Sequence, residues 1–88
     1  MITVQKKDVA KWLLMDYQAN LYVIQEKLHF FELKYNQSWD SFEQQIKNSS
    51  REDFNKWDDY MEWKAYIKME EEIKTKIKEV KYGYFEMA

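Results

Sequence analysis

Apolar side chains recur at steps of three and four residues along most of this chain, which is the spacing of one face of an α-helix. The most regular stripe runs from Ala10 to Tyr35 and returns about every 3.5 residues, so it stays on one side of a gently supercoiled helix. Such a helix is expected to lie lengthwise along other helices. We use the name seam for the apolar residues that are predicted to form the core or a dimer contact. The seam includes residues of this helix and three residues near the end of the chain: Leu14, Tyr17, Leu21, Ile24, Leu28, Phe31, Tyr35, Ile73, Ile77 and Val80.

Two polar breaks divide the pattern. Asn36 is a residue that often ends a helix in the left-handed conformation, and Ser38 can cap the helix that follows. The second break is Asn48, Ser49 and Ser50, and Gly83 can end the last helix. The pattern therefore predicts a single all-α domain over residues 1–88, with helices at about 6–35, 39–47 and 51–82.

The two long predicted helices make a long helical hairpin with the short helix between them. A helix of about 30 residues is about 45 Å long, which is more than the width of a compact chain of this size. The hairpin cannot cover both of its faces, and several large side chains lie off the seam: Trp12, Tyr22, Val23, Phe30 and Leu33. We therefore expect a homodimer that closes into a four-helix bundle.

The aromatic content changes this picture. The chain has four Trp, seven Tyr and five Phe, and they are densest in the stretch that holds Phe54, Trp57, Tyr60, Met61 and Trp63. Core packing against the short helix is one interpretation, and a binding surface is the other, because Tyr and Trp dominate binding hot spots. At 100° per residue, Trp57, Tyr60 and Trp63 follow one another at steps equivalent to 60° and span about 120° of the helix circumference, so one at least should face outward. The candidate partner surface is Trp39, Trp57, Tyr60 and Trp63.

Charge and composition limit the classes of partner and chemistry. The net charge is −2 with both signs mixed, and Glu residues oppose the lysines of the last helix, which disfavours nucleic acid. The chain has no Cys, so a disulfide or a thiolate metal site is excluded, and a cytoplasmic location is expected. No apolar run approaches the roughly 20 residues of a membrane span, and the first residues carry no signal-peptide core. We expect no membrane contact.

Candidate catalytic groups are few. Glu26 and His29 have the Glu-x-x-His spacing of di-iron bundles, but both fall on the outer side of the predicted helix, where an ordinary solvated pair is favoured. Asp58, Asp59 and Glu62 could serve acid catalysis only in a cleft that separates their pKa values; a solvated acidic face is the simpler interpretation. With one His and no Cys, no nucleophilic triad can be assembled. We expect no enzyme activity, metal or cofactor.

The segment 33–63, LKYNQSWDSFEQQIKNSSREDFNKWDDYMEW, resembles a group of very short helical prokaryotic proteins that look like antitoxin partners of toxin–antitoxin pairs. Asn36 stands where that group more usually has Gly, and Trp39 where Phe is common. The matching residues are Tyr35 and Ser38 at the break, Phe42 in the short helix, and Asp53, Phe54, Trp57, Asp58, Tyr60, Glu62 and Trp63 in the last helix.

The functional expectation follows from the aromatic excess and this resemblance. We expect an antitoxin-like protein-interaction module that masks a partner, such as a toxin-like protein from a neighbouring gene, by laying helical apolar surface into its groove. The alternatives are a self-assembling structural dimer without another partner, and a metal-bundle enzyme. A toxin-sized neighbouring reading frame, a stable isolated dimer and bound iron or manganese would distinguish the three.

Overall fold

A computed structural model describes residues 4–49 and 54–83 as three helices: α1 (Lys6–Tyr35), α2 (Trp39–Lys47) and α3 (Phe54–Lys81). No strand occurs in these two ranges. The all-α class and the long helical hairpin predicted from the sequence are confirmed. α1 and α2 coincide with the predicted ranges. The start predicted for α3 at residue 51, and the cap expected from Ser50 and Asp53, lie outside the described residues.

Local signals end α1 and start α2. Asn36 has the left-handed backbone conformation (φ 51°, ψ 43°), and its N–H donates to the carbonyl of Glu32. Ser38 is extended, and its Oγ accepts a hydrogen bond from the backbone N–H of Ser41 at 3.2 Å. A left-handed terminator followed at once by a capped start reverses the chain within three residues. α2 therefore folds back beside the hairpin.

α1 and α3 lie antiparallel along most of their lengths, and a polar contact joins the open end of the hairpin. Lys6 Nζ donates to the carbonyl oxygen of Gly83 at 2.9 Å, which ties the start of α1 to the end of α3. Gly83 has φ 76°, and its N–H donates to the carbonyl of Val80 at 3.0 Å. Gly tolerates this left-handed conformation without the steric cost that a Cβ brings, so it suits the end of α3.

The main core lies at the end of the hairpin where α2 packs. Its buried members come from all three helices, with Val80 buried separately near the other end of the hairpin. The seam residues of α1 and α3 are all buried or half-buried. The buried residues of the main core are Ile24, Leu28, Phe31, Phe42, Tyr60 and Trp63.

The molecule is a rod. Its extents are 63 × 19 × 19 Å, and its radius of gyration of 17.8 Å exceeds the roughly 12 Å expected of a compact domain of this length. Since α2 spans only nine residues, it covers one end of the hairpin, and the rest is two helices thick. A homodimer that closes a four-helix bundle stays a prediction, and the side of α1 turned away from α3 is open.

Candidate protein-interaction surface

The four aromatic residues of the candidate partner surface lie in different environments. Trp63 is 0% exposed and Tyr60 is 5% exposed, whereas Trp39 is half-buried and Trp57 is 51% exposed. Tyr60 and Trp63 therefore belong to the core, which corrects their assignment to a surface. The reason is the orientation of α3, which turns positions 60 and 63 toward α1 and α2 and leaves position 57 outside.

A run of ring contacts connects the exposed indole of Trp57 to the core. Its ring centroid lies 5.4 Å from that of Tyr60, whose ring is in turn stacked on Trp39 at 5.4 Å. Trp39 contacts Trp63 at 5.5 Å. The hydroxyl of Tyr60 donates to Glu43 Oε2 at 3.1 Å. Because the ring of Tyr60 also contacts Trp39 and Phe42 and its hydroxyl is bound to Glu43, it gives Trp57 a rigid support.

Further large apolar side chains are exposed on α1 and α3. On α3, Met61 follows Trp57 by one turn and is about half exposed. On α1 the exposed side chains include Met15 and Leu33, and they leave the helix on the side opposite the seam. The off-seam residues Trp12, Tyr22, Val23, Phe30 and Leu33 were recognised from the sequence; Met15 was missed, although its step of three from Trp12 could have found it.

Asp59 connects α1 to α3 through a small polar site. Its Oδ2 accepts a hydrogen bond from Lys34 Nζ at 2.6 Å and another from the hydroxyl of Tyr35. Burial by itself raises the pKa of the Asp59 carboxyl, but the two hydrogen bonds and the charge of Lys34 lower it by more, so this pKa lies below the ordinary 3.8. The sequence placed Asp59 on a solvated acidic face. Its role depends on the register of α3 against α1, which the sequence does not contain.

We expect the free energy of unfolding to depend on Asp59 in a pH-dependent way. A depressed pKa in the folded state stabilises the protein above the unfolded value of 3.8, and this stabilisation is lost as the pH falls through the folded value. Asp59→Asn should therefore lower the free energy of unfolding by about 1–2 kcal/mol at neutral pH, because a charge-assisted hydrogen bond is weakened. The difference from wild type should shrink in acid.

Urea denaturation of both proteins from neutral pH down to about pH 3 measures this difference. Asp58→Asn is the matched control, since Asp58 is the preceding carboxylate and is exposed. A difference that does not change with pH, or an equal effect of Asp58→Asn, would show that the carboxylate of Asp59 is not held by Lys34 and Tyr35.

Three of the carboxylates considered for metal binding and acid chemistry, Glu26, Asp59 and Glu62, line one open depression, whereas His29 is not among the residues that line it. Glu26 and His29 are both exposed. An open depression of about 300 Å³ between α1 and α3 is lined by Glu26, Lys27, Phe30, Phe31, Asp59 and Glu62. Within residues 4–49 and 54–83, no group of three or more His, Asp or Glu side chains is arranged to hold a metal ion. The depression combines carboxylates with a lysine and two phenyl rings.

No protein-family model, curated protein or solved structure matches this chain. The resemblance to antitoxin partners therefore stays a prediction from the segment 33–63.

In the part of the chain that the structure describes, no helix has the length and apolar character needed to cross a membrane.

Proposed function

We propose that this chain is a non-enzymatic protein-interaction module in which Trp57 is the anchor that a protein partner covers. The exposed indole of Trp57 is the observation that carries the proposal. Its contact with the buried Tyr60 means that the ring is already positioned before binding. An aromatic side chain with few rotatable bonds and a rigid support loses little conformational entropy when a partner covers it.

The partner that the sequence resemblance favours is a toxin-like protein encoded by a neighbouring gene. α3 would lay Trp57 and the half-exposed Met61 into an apolar groove of that partner, in the way that amphipathic helices bind such grooves. An antitoxin-like protein acts by covering the partner's surface. This role needs no catalytic residue of its own, and it uses the side chains that the hairpin leaves outside its core.

We expect Trp57→Ala to weaken binding of the neighbouring gene's product by about 2 kcal/mol or more, roughly thirtyfold, because a hot-spot indole is lost. Isothermal titration calorimetry with the purified product measures the change. Trp12→Ala is the matched control: Trp12 is 57% exposed, close to the exposure of Trp57, but it lies on the far side of α1 from the seam. This variant should bind like wild type.

The outcomes separate a binding surface from simple exposure. If wild type and Trp57→Ala bind the neighbouring gene's product with equal affinity, Trp57 is not the anchor. No binding of the neighbouring product by wild-type protein would remove the antitoxin-like role. Circular dichroism of both variants checks that the helices are intact, which we expect because both indoles are half exposed.

The second candidate function is a self-assembling structural dimer without another partner. The exposed apolar side chains on the outer side of α1 favour it, since a second copy of the chain could cover them. A stable dimer that binds no neighbouring product would support this function over the first. The two functions use different helices, so their tests are independent.

A further inference from the structure

The side of α1 that faces away from α3 carries an apolar surface of its own, which we call the outer stripe. At 100° per residue its members occupy an arc of about 100°, centred opposite the seam. It extends over about 32 Å of helix at 1.5 Å per residue. All its members are exposed, and all but Ala19 are large: Trp12, Met15, Ala19, Tyr22, Val23, Phe30 and Leu33.

The chain has enough uncovered surface for a stable dimer. Its accessible surface is 7277 Å², whereas a compact protein of 11.0 kDa has about 5,600 Å². The excess is about 1,700 Å², and a specific interface of standard size buries about 800 Å² on each partner. A helix face of this length that is packed lengthwise on a second copy would remove such an area. The excess surface of the chain is therefore enough for an interface of standard size on each copy.

The spacing of the outer stripe is symmetric about the point between Tyr22 and Val23. Trp12 and Leu33 lie equally far from this point, and so do Met15 and Phe30. When two copies of α1 are placed antiparallel about that point, each large apolar residue meets another one. Trp12 lies level with Leu33 of the second copy, Met15 with its Phe30, and Tyr22 with its Val23.

Charge selects this direction over the parallel one. Glu26 lies within the arc of the outer stripe, so a parallel dimer in register would place the two Glu26 carboxylates against each other. In the antiparallel arrangement Glu26 lies level with the small Ala19, and Asp16 lies level with His29. The only like charges that become level are Lys11 and Lys34, at the ends of the stripe, and Lys34 is bound to Asp59 of its own chain.

We infer that the outer stripe of α1 is the interface of a two-fold symmetric, antiparallel homodimer of this chain. The two α1 helices form the centre, and each α3 packs on the outside of its own α1, so the four long helices lie in a row and not in the closed four-helix bundle expected from the sequence. The helix macrodipoles of the two α1 helices then oppose each other, which is favourable. The interface leaves Trp57 on α3 uncovered, so dimerisation and the proposed partner binding use separate surfaces.

Sedimentation equilibrium of the full chain tests the interface. Wild type should be dimeric at micromolar concentration, and Val23→Glu should weaken the dimer at least tenfold, because it puts a charge near the two-fold axis where Tyr22 of the second copy lies. Gln25→Glu is the matched control, since it adds the same charge at an exposed position of α1 outside the stripe. It should dimerise like wild type.

Engineered cysteines test the direction, and the natural chain has no Cys to interfere. In the antiparallel dimer Ala19→Cys protein mixed with Glu26→Cys protein should form a disulfide on mild oxidation, while Ala19→Cys alone should not. In a dimer of Ala19→Cys alone, the two substituted positions would be about seven residues apart, roughly 10 Å along the axis, which is beyond disulfide reach.

Three results would overturn the proposal. They are a wild-type monomer at high micromolar concentration, a dimer that Val23→Glu leaves intact, and efficient crosslinking of Ala19→Cys alone, which a parallel dimer would give. Because the cysteine variants do not change Val23, the crosslinking result decides even if Val23→Glu does not fold. Calorimetry with Trp57→Ala reports separately on partner binding.

Discussion

Trp63→Ala should lower the free energy of unfolding by about 3–5 kcal/mol, as the largest truncations in a protein core do. Trp63 is completely buried, and its ring stacks on Phe31 at 5.5 Å and on Phe42 at 5.1 Å. It also contacts Tyr35 and Trp39. Two of these four rings belong to α1 and two to α2, so Trp63 of α3 holds the three helices together. Truncation of Trp63 would leave a large cavity.

Urea denaturation at one fixed protein concentration measures this effect, because the proposed dimer would make the stability depend on concentration. Trp57→Ala is the matched control, since it removes the same side chain from the same helix almost two turns earlier, where it is half exposed. This control should change the free energy of unfolding by less than about 1 kcal/mol. Equal effects of the two substitutions would contradict the assignment of Trp63 to the core and Trp57 to the surface.

Phe42→Ala should cost a similar amount, about 3–5 kcal/mol, and should act first on α2. Phe42 is 0% exposed, and its ring lies 4.4 Å from that of Tyr35 and 5.1 Å from that of Trp63. A helix of nine residues is not stable by itself in water, so α2 depends on this contact. Once Phe42 is truncated, we expect α2 to detach before the hairpin of α1 and α3 unfolds.

Native-state hydrogen exchange distinguishes this local loss from global unfolding. In Phe42→Ala the amides of α2 should lose protection, while those around Ile24 and Leu28 in α1 remain protected. Gln44→Ala, an exposed position on the same helix, is the control and should leave protection unchanged. Protection of α2 that survives Phe42→Ala would mean that Trp39 and Ile46 anchor this helix instead.

The positions of the helices could be predicted because the signals that set them are local. Asn36 and Ser38 define the first break through their own backbone conformations and one short-range hydrogen bond. The seam could be predicted for a similar reason, since the periodicity of Leu14, Leu21 and Leu28 determines which side of α1 is apolar whatever the neighbour is. The sequence did not determine which helix the seam of α1 packs against. In the structure, this seam packs on α3 of the same chain.

The candidate site was predicted only in part. The aromatic cluster was recognised, and so was the need for one outward residue, but the identity of that residue was not. Trp57, Tyr60 and Trp63 lie three residues apart, so a small rotation of α3 about its axis exchanges buried and exposed positions. The hydrogen bonds from Lys34 and Tyr35 to Asp59 were not anticipated, because residues 24 or 25 apart in sequence meet only in one register of the hairpin.

The sequence by itself thus determined which segments are helical, where α1 ends and α2 begins, and that the hairpin is too long and too aromatic to bury all its apolar side chains. Only the tertiary structure decided that Trp63 and Tyr60 are core, that Trp57 is surface and that Asp59 connects α1 to α3. The physical reason is the range of the interactions. Caps and periodicity depend on neighbours within one helical turn, whereas burial depends on how three helices rotate and slide until their side chains pack.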